Sequence, residues 1–359
     1  MAGRGDGDAA AIVPESPVRA GPPPEGSGPA AGPFRPAPAP SPDGEAAVAR
    51  RIDLLFRMAD DFATSIPLEE LDLLLPSEGP RGVRELAAWL AALPGVSVDP
   101  DGMVHRSGAT ADGAARRRRG AAFQNAARRL FAGRLAPFSR WLRCVAVTGS
   151  SAYGAPERGD DLDFLVVCRS GTLWLFLAAT YLELRLRGVP RFGTEPVRPC
   201  FNFVIDEASA AAELARPRGF VVAREALTAV PVVGDAYYGH LLRSAPWMRA
   251  ELPRLYDRRV RADPGPEPPP VGWGLRLLNG AVYPLLAAYL QLQGLARNRP
   301  GRGGAPALFR TITRPDRLLF ASGRFERLQA RYDAAAAPAP RSAATGPGRT
   351  DRAAPDPRG

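Results

Sequence analysis

Four residues between positions 149 and 163 could perform chemistry together. Gly149 and Ser150 close one apolar run, and Asp161 and Asp163 open the next, within the segment VTGSSAYGAPERGDDLDFLVV at 147–167. In a strand, side chains at i and i+2 point to the same face, so the two carboxylates project together. Two adjacent carboxylates repel each other, and a divalent cation removes that repulsion. Because Mg²⁺ and Mn²⁺ prefer hard oxygen ligands, we predict a Mg²⁺ or Mn²⁺ site at Asp161 and Asp163.

The Gly149-Ser150 corner is suited to bind a phosphate. A glycine lets the backbone approach an anion, and the amides of a following helix would face the same group. The Ser150 hydroxyl can donate to a phosphate oxygen, although a helix N-cap is an equal interpretation of this serine. Arg158, in the loop between the two runs, is a candidate triphosphate contact or an ordinary loop arginine. A phosphate site beside a carboxylate metal site indicates phosphoryl or nucleotidyl transfer.

The same segment resembles the signature of the DNA polymerase β-type nucleotidyltransferase superfamily. Gly149, Ser150, Asp161 and Asp163 fall on its four defining positions. The resemblance implies an α+β fold with a mixed sheet and helices, and Mg²⁺-dependent transfer of a nucleoside monophosphate from a nucleoside triphosphate (NTP), with pyrophosphate leaving. More weakly, residues 46–335 are similar to a group of prokaryotic nucleotidyltransferase-domain proteins. Neither resemblance identifies the acceptor, which could be a small molecule, a nucleic acid or a protein.

One position departs from the pattern of that family. A third carboxylate usually lies on a neighbouring strand, and the matching strand here, CFNFVID at 200–206, has Asn202 at that place. Asparagine can offer a carbonyl oxygen to a metal, but it is neither charged nor a base. Asp206 shares the face of Asn202 but lies about 13 Å further along the strand, and Glu195 precedes the strand. A catalytically attenuated nucleotide-binding or protein-interaction module is therefore a second hypothesis.

Pattern and composition predict six segments along the chain. Three amphipathic helices and a hairpin indicate a winged-helix-like domain, and strands alternating with helices indicate the nucleotidyltransferase domain. The segments are a disordered arm (1–45), the winged-helix-like domain (46–108), an Arg-rich connector helix (109–140), the nucleotidyltransferase domain (141–235), a helical C-terminal region (236–335) and a disordered tail (336–359).

The basic charge is concentrated in the connector. The chain has no lysine, which excludes chemistry that depends on a P-loop or Schiff-base lysine. Residues 46–108 have six arginines against ten acidic residues, whereas residues 110–143 have nine against one. The winged-helix-like domain is therefore better suited to contact a protein than DNA. Arg116–Arg119 form the stronger nucleic-acid candidate, with a solvated linker as the alternative, and a nucleic-acid-binding regulator is a third hypothesis.

The remaining features indicate a soluble, cytoplasmic protein. The three cysteines are expected to be free thiols, and neither histidine has a companion at zinc-ligand spacing. The apolar run at 277–295 contains several polar residues, so we predict a buried helix in preference to a membrane span. A serine hydrolase interpretation of GSSAY fails because the G-x-S-x-G pattern would need glycine at Tyr153.

Overall fold

The structure, a computed structural model, describes residues 42–106, 113–192, 195–297 and 309–336. The segments predicted to be disordered, 1–45 and 336–359, lie outside the described residues except at their inner ends. Residues 42–45 belong to the first helix, and Ala336 ends the last one. The predicted arm is thus too long by one helical turn.

Three helices and a small sheet form the N-terminal region, as the sequence predicts. The elements are α1 (Pro42–Asp61), β1 (Ile66–Pro67), α2 (Leu68–Leu74), α3 (Val83–Ala91), β2 (Val96–Val98) and β3 (Met103–Arg106). The β2–β3 hairpin is confirmed, and β3 also pairs antiparallel with β1. The sequence favours Pro67 in the first turn of its helix. It precedes α2 in an extended conformation instead, because it pairs with Met103.

The middle of the chain alternates strands and helices. The elements are α4 (Gly113–Ala132), β4 (Leu142–Val147), β5 (Leu162–Cys168), α5 (Leu173–Arg187), β6 (Arg191–Phe192), β7 (Glu195–Pro196), β8 (Pro199–Asp206), α6 (Glu207–Leu214), α7 (Phe220–Thr228) and β9 (Val230–Val233). The helix expected after Gly149 is only a 3₁₀ turn, Gly149–Ser151. An extended α-helical N-terminus does not therefore face the Gly149-Ser150 corner.

The C-terminal region contains helices and one unpredicted hairpin. The elements are α8 (Asp235–Leu241), α9 (Trp247–Glu251), α10 (Pro253–Arg259), α11 (Trp273–Arg297), β10 (Phe309–Arg314), β11 (Arg317–Ser322) and α12 (Gly323–Ala336). The predicted helical region at 236–335 therefore also supplies two strands. β11 pairs antiparallel with β8, so this region completes the central sheet.

The central sheet is mixed and has six strands in the order β10-β11-β8-β5-β4-β9. Among the described strands of this sheet, β5 and β8 run parallel and the other neighbouring pairs are antiparallel. The α+β class with a mixed sheet is thus confirmed. β5, which follows Asp161, lies inside the sheet between β4 and β8.

Alternate residues of the central strands belong to two separate cores. Leu165 and Val167 of β5 face a core formed with α1–α3, α6–α10 and α12. Phe164 and Val166 face the opposite core, formed with α4, α5 and α11. Trp174 and Phe176 of α5 are fully buried there, so these aromatic residues serve packing. Since Asp163 alternates with Phe164, it faces the first core.

Helix α11 confirms the predicted helix at 277–295 but not its burial. Ala287 and Leu290 pack into the core, whereas the opposite side exposes several leucines to solvent. The prediction of a buried helix is wrong for that side, because the central sheet and α5 cover only one face of α11. Within the described residues, no helix combines the length and the hydropathy required to cross a bilayer.

Candidate active site

Asp163 lies on β5, opposite a strand that contains a bulge. Asp163 pairs with Cys200, and Leu165 pairs with Phe203, so β8 has one more residue than β5 between these two pairs. The extra residue in β8 changes the alternation of side chains there. As a result the Asn202 amide donates to Asp163 Oδ1 at 3.1 Å. The structure thus brings together two of the residues that the sequence placed in the site.

Gly149 packs directly against the Asp163 carboxylate. Its φ is +66°, a conformation that favours glycine, and a Cβ placed there would lie 2.8 Å from Asp163 Oδ2. Any larger residue would therefore disturb Asp163. The close approach predicted for this glycine is present, but the group that it approaches is a carboxylate of the protein.

Glu225 of α7 is a further acidic residue in this site. The Gly149 amide donates to Glu225 Oε2 at 3.0 Å, across a sequence separation of 76 residues. The amide that the sequence assigned to a phosphate therefore binds a carboxylate here. Glu225 is not among the site residues predicted from the sequence. Its only local signal is one acid among the apolar residues of FVVAREALT at 220–228.

Ser150 is paired with the loop that follows it. Its hydroxyl donates to Asp160 Oδ2 at 3.1 Å, and the same oxygen accepts from the Glu157 amide at 2.8 Å. This arrangement closes the loop between β4 and β5. His240, the histidine that a hydrolase would require, instead hydrogen-bonds the carbonyl of Ala262.

The two remaining sequence-predicted residues lie at the surface. Asp161 precedes β5 and is exposed, and its charge is close enough to act on Asp163. Arg158 is exposed in the loop. Asp206 is excluded from the site, because its carboxylate caps α6 through the Ala208 amide and accepts from Ser170. The backbone of Glu195, in β7, pairs with Phe192 of β6.

Negative charge accumulates at Asp163. Burial, followed by the charge of Glu225, raises the pKa of Asp163 to about 7, and Asp161 and Asp160 act in the same direction. Burial also raises the pKa of Glu225, against the charge of Arg224 and the Gly149 hydrogen bond. The site therefore contains two carboxylates, Asp163 and Glu225, whose ionised forms are disfavoured mainly by burial.

Arg224 is the nearest cation identified on the Glu225 side. It is 7% exposed, and its guanidinium lies 4.7 Å from the centre of the Tyr153 ring. Its Nε atom has no hydrogen-bond partner in the described part of the chain. Arg224 and Tyr153 also line a small, partly open cavity of about 10 Å³, which has room for one water molecule. The charge of Arg224 therefore favours the ionised form of Glu225.

The site residues fit a divalent cation held jointly with a substrate. Among the described residues, no group of three or more His, Cys, Asp or Glu side chains could hold a metal ion alone. Mg²⁺ is commonly bound by one or two carboxylates together with substrate phosphates, and without a complete protein cage. Asp161 and Asp163 are that number of carboxylates, and the Asn202 amide lies beside Asp163.

The connector arginines mainly hold the loop and the N-terminal region. Arg116 donates to the carbonyl of Ala155 and pairs with Glu157, while Arg119 donates to the carbonyl of Pro156. Arg117 pairs with Glu70 of α2 at 3.3 Å, and Arg118 is exposed. The four arginines therefore do not form one open basic surface.

Comparisons with known proteins give no relative for this chain. No protein-family model, no curated protein and no solved structure matches it.

Proposed function

We propose that this protein is a Mg²⁺-dependent nucleotidyltransferase that moves a nucleoside monophosphate from an NTP to an acceptor hydroxyl. The observation that carries the proposal is that Gly149 packs against Asp163 and binds Glu225, while the charges of Glu225 and Asp161 help to raise the pKa of Asp163 to about 7. Carboxylates close enough to raise one another's pKa are typical of a site that binds a cation during its reaction. The polymerase β-like arrangement of this domain is part of the same proposal.

Each site residue has a distinct role in this proposal. Asp161 and Asp163 hold Mg²⁺, or Mn²⁺ as an alternative ion. Asn202 is an uncharged residue next to this metal site. When bound, the ion neutralises charge on the phosphates. Ser150 and Arg158 bind phosphate oxygens after Ser150 leaves Asp160. Gly149 keeps the backbone close to Asp163.

Glu225 is the proposed proton acceptor in place of the missing third carboxylate. The acceptor oxygen forms a bond to the α-phosphorus, the bond from that phosphorus to the bridging oxygen breaks, and pyrophosphate leaves. The hydroxyl proton passes to Glu225, whose raised pKa makes it a better base than an ordinary surface carboxylate. We place this reaction in the cytoplasm.

Incubation with each α-labelled NTP, Mg²⁺ and cell extract tests the proposal. We expect pyrophosphate release and a labelled product, both lost in Asp161→Ala and Asp163→Ala, with a reduced rate in Glu225→Gln. Asp101→Ala, in the exposed turn of the β2–β3 hairpin, is the matched control and should keep full activity. Full turnover in the Asp161→Ala/Asp163→Ala double variant would show that the assignment is wrong.

A nucleotide-binding module without efficient chemistry is the second candidate. It is favoured because Gly149 and Ser150 are already bonded to Glu225 and Asp160, and because Asn202 replaces an acid. Calorimetry would then show metal-dependent nucleotide binding without pyrophosphate release. Asn202→Asp separates the two candidates, since a sharp rise in turnover would indicate attenuated catalysis.

A further inference from the structure

The outward face of α11 contains an uncovered heptad pattern. Apolar residues recur at alternating spacings of three and four, and all are exposed: Leu278, Ala281, Leu285, Ala288, Leu292 and Leu295. Four of them are leucines exposed by between 52% and 75%. The pattern extends along about 25 Å of helix. A strip of this kind on a protein surface usually marks an interface.

The period of the pattern specifies a helix as the occupant. Apolar residues at a mean spacing of 3.5 form the seam of two packed helices, in which each knob enters a hole of the facing helix. Positions beside the seam, including Leu277, Tyr289 and Gln291, are uncharged, so no charge pattern selects a different partner. We propose that α11 pairs antiparallel with α11 of a second copy of this chain.

Antiparallel pairing places large side chains opposite small ones at the four central positions, while Leu278 at each end faces Leu295 of the other copy. With the seam centred between Leu285 and Ala288, Leu285 faces Ala288 of the second copy, and Ala281 faces Leu292. A parallel pair would instead stack alanine on alanine and leave gaps, which are unfavourable in a packed interface. The alternation of leucine and alanine therefore favours the antiparallel arrangement.

Charge does not oppose a second copy at this face. The chain has a net charge of +10, so two copies repel each other over most of their surfaces. Residues 277–296 contain no charged side chain, and so two copies can approach each other there. A helix that lies on a membrane typically has basic residues along its polar face. In α11, the face opposite the exposed leucines is mainly apolar, and it packs on the core through Ala287 and Leu290.

Other segments of the same chain are poorly suited to cover the seam. Outside the described residues, the large apolar side chains are Met1, Ile12, Val13, Val18, Phe34 and Leu308. They do not form a heptad pattern, and the tail at 337–359 contains none. The proposal is independent of the nucleotidyltransferase assignment, because α11 contributes no residue to the candidate site.

Sedimentation of the full chain tests the proposal. We expect wild-type protein at twice its mass of 38.2 kDa and Leu285→Glu/Leu292→Glu at 38.2 kDa with unchanged circular dichroism. Leu186→Glu on α5 is the matched control, because Leu186 is 73% exposed outside the seam, and this variant should remain dimeric. A monomeric wild-type protein overturns the proposal. This holds also if that monomer sediments together with anionic phospholipid vesicles, since the face would then bind a membrane. A dimer that persists in the double variant or is lost in the control also overturns the proposal.

Cross-linking tests the orientation. A mixture of Leu285→Cys and Ala288→Cys proteins should form more disulfide-linked dimer on oxidation than either protein alone. The native cysteines interfere little, because Cys144 and Cys168 are buried and Cys200 is half-buried. Equal cross-linking in the mixture and in the separate proteins contradicts the antiparallel pair.

Discussion

Asp163 is subject to opposing interactions. Burial and the charges of Glu225 and Asp161 favour its neutral form, whereas a hydrogen bond from Cys200 favours the ionised form. The interactions that favour the neutral form are stronger, and they raise the pKa of Asp163 from 3.8 to about 7. An isolated carboxylate at the end of a strand would not show this behaviour. The local environment therefore distinguishes Asp163 from an ordinary capping residue.

Replacement of Asp163 by asparagine should stabilise the cation-free protein at alkaline pH. A folded-state pKa above the unfolded value means that the folded state binds the proton more tightly, so stability falls as pH rises from about 4 to about 7. An asparagine side chain at this position cannot ionise and avoids this loss. We therefore expect the Tm of Asp163→Asn, relative to wild type, to increase between about pH 5 and about pH 8 in EDTA.

Asp101→Asn is the control for that measurement, because Asp101 lies in an exposed turn. Its Tm relative to wild type should stay constant over the same pH range. A constant difference for Asp163→Asn as well would contradict the electrostatic account of the site.

Sequence identified the residues of the site that lie close together along the chain. Gly149, Ser150, Asp161 and Asp163 follow from strand alternation and the spacing of the motif. Glu225 could not be found in this way, because it reaches Gly149 only through the packing of α7 on the sheet. The hydrogen bond from Ser150 to Asp160 could not be predicted from the local sequence either, because it depends on how the loop between β4 and β5 closes.

At the scale of elements, α4 shows why a charge run need not bind nucleic acid. Gly120 of this helix faces Gly154, and a Cβ on Gly120 would lie 2.8 Å from the Gly154 Cα. This close approach brings the connector arginines within reach of the carbonyls of the loop. These arginines therefore have a structural role. Composition alone does not distinguish arginines with such a role from arginines that form a nucleic-acid docking surface.

The four connector arginines should therefore differ in their effect on stability. Arg117→Ala removes the partner of half-buried Glu70, so we expect a loss of about 1–2 kcal/mol in the free energy of unfolding. Arg118 is exposed, and Arg118→Ala should change this free energy by less than about 0.5 kcal/mol. Urea denaturation measures both values.

A nucleic-acid role would give a different result. Binding would then weaken steeply with salt and depend on all four arginines. Equal small effects of Arg117→Ala and Arg118→Ala on unfolding, with loss of nucleic-acid binding in both variants, would favour the regulator hypothesis over the structural role.

The β10–β11 hairpin shows the limit of prediction from pattern at this scale. The segment FRTITRPDRLLFAS at 309–322 contains a Pro-Asp turn between apolar and β-branched residues, which is a hairpin signal. The pattern of the surrounding helices nevertheless favours a helical region throughout 236–335. Pairing of β11 with the edge of β8 stabilises the hairpin, and a long-range contact of this kind is not visible in a local window.

At the scale of the whole molecule, the N-terminal region shares its core with C-terminal helices. Val48 and Leu71 belong to the same cluster as Leu255 of α10 and Tyr332 of α12. Arg254 of α10 donates to Asp72 Oδ1 at 2.8 Å and to the carbonyls of Gly79 and Pro80. Sequence located the elements of this region but not this connection, because the partners lie more than 170 residues away.

This shared core predicts that the N-terminal and C-terminal regions unfold together. Arg254→Ala removes the ion-pair partner of Asp72, whose Oδ1 keeps the Gly82 amide, and the donor to two carbonyls, so we expect a loss of about 3 kcal/mol in the free energy of unfolding. Calorimetry should show one transition that moves as a whole to lower temperature. Arg258→Ala, at an exposed position on the same helix, should change the free energy by less than about 0.5 kcal/mol. Two separate transitions, of which Arg254→Ala moves only one, would show that the N-terminal region folds as an independent domain.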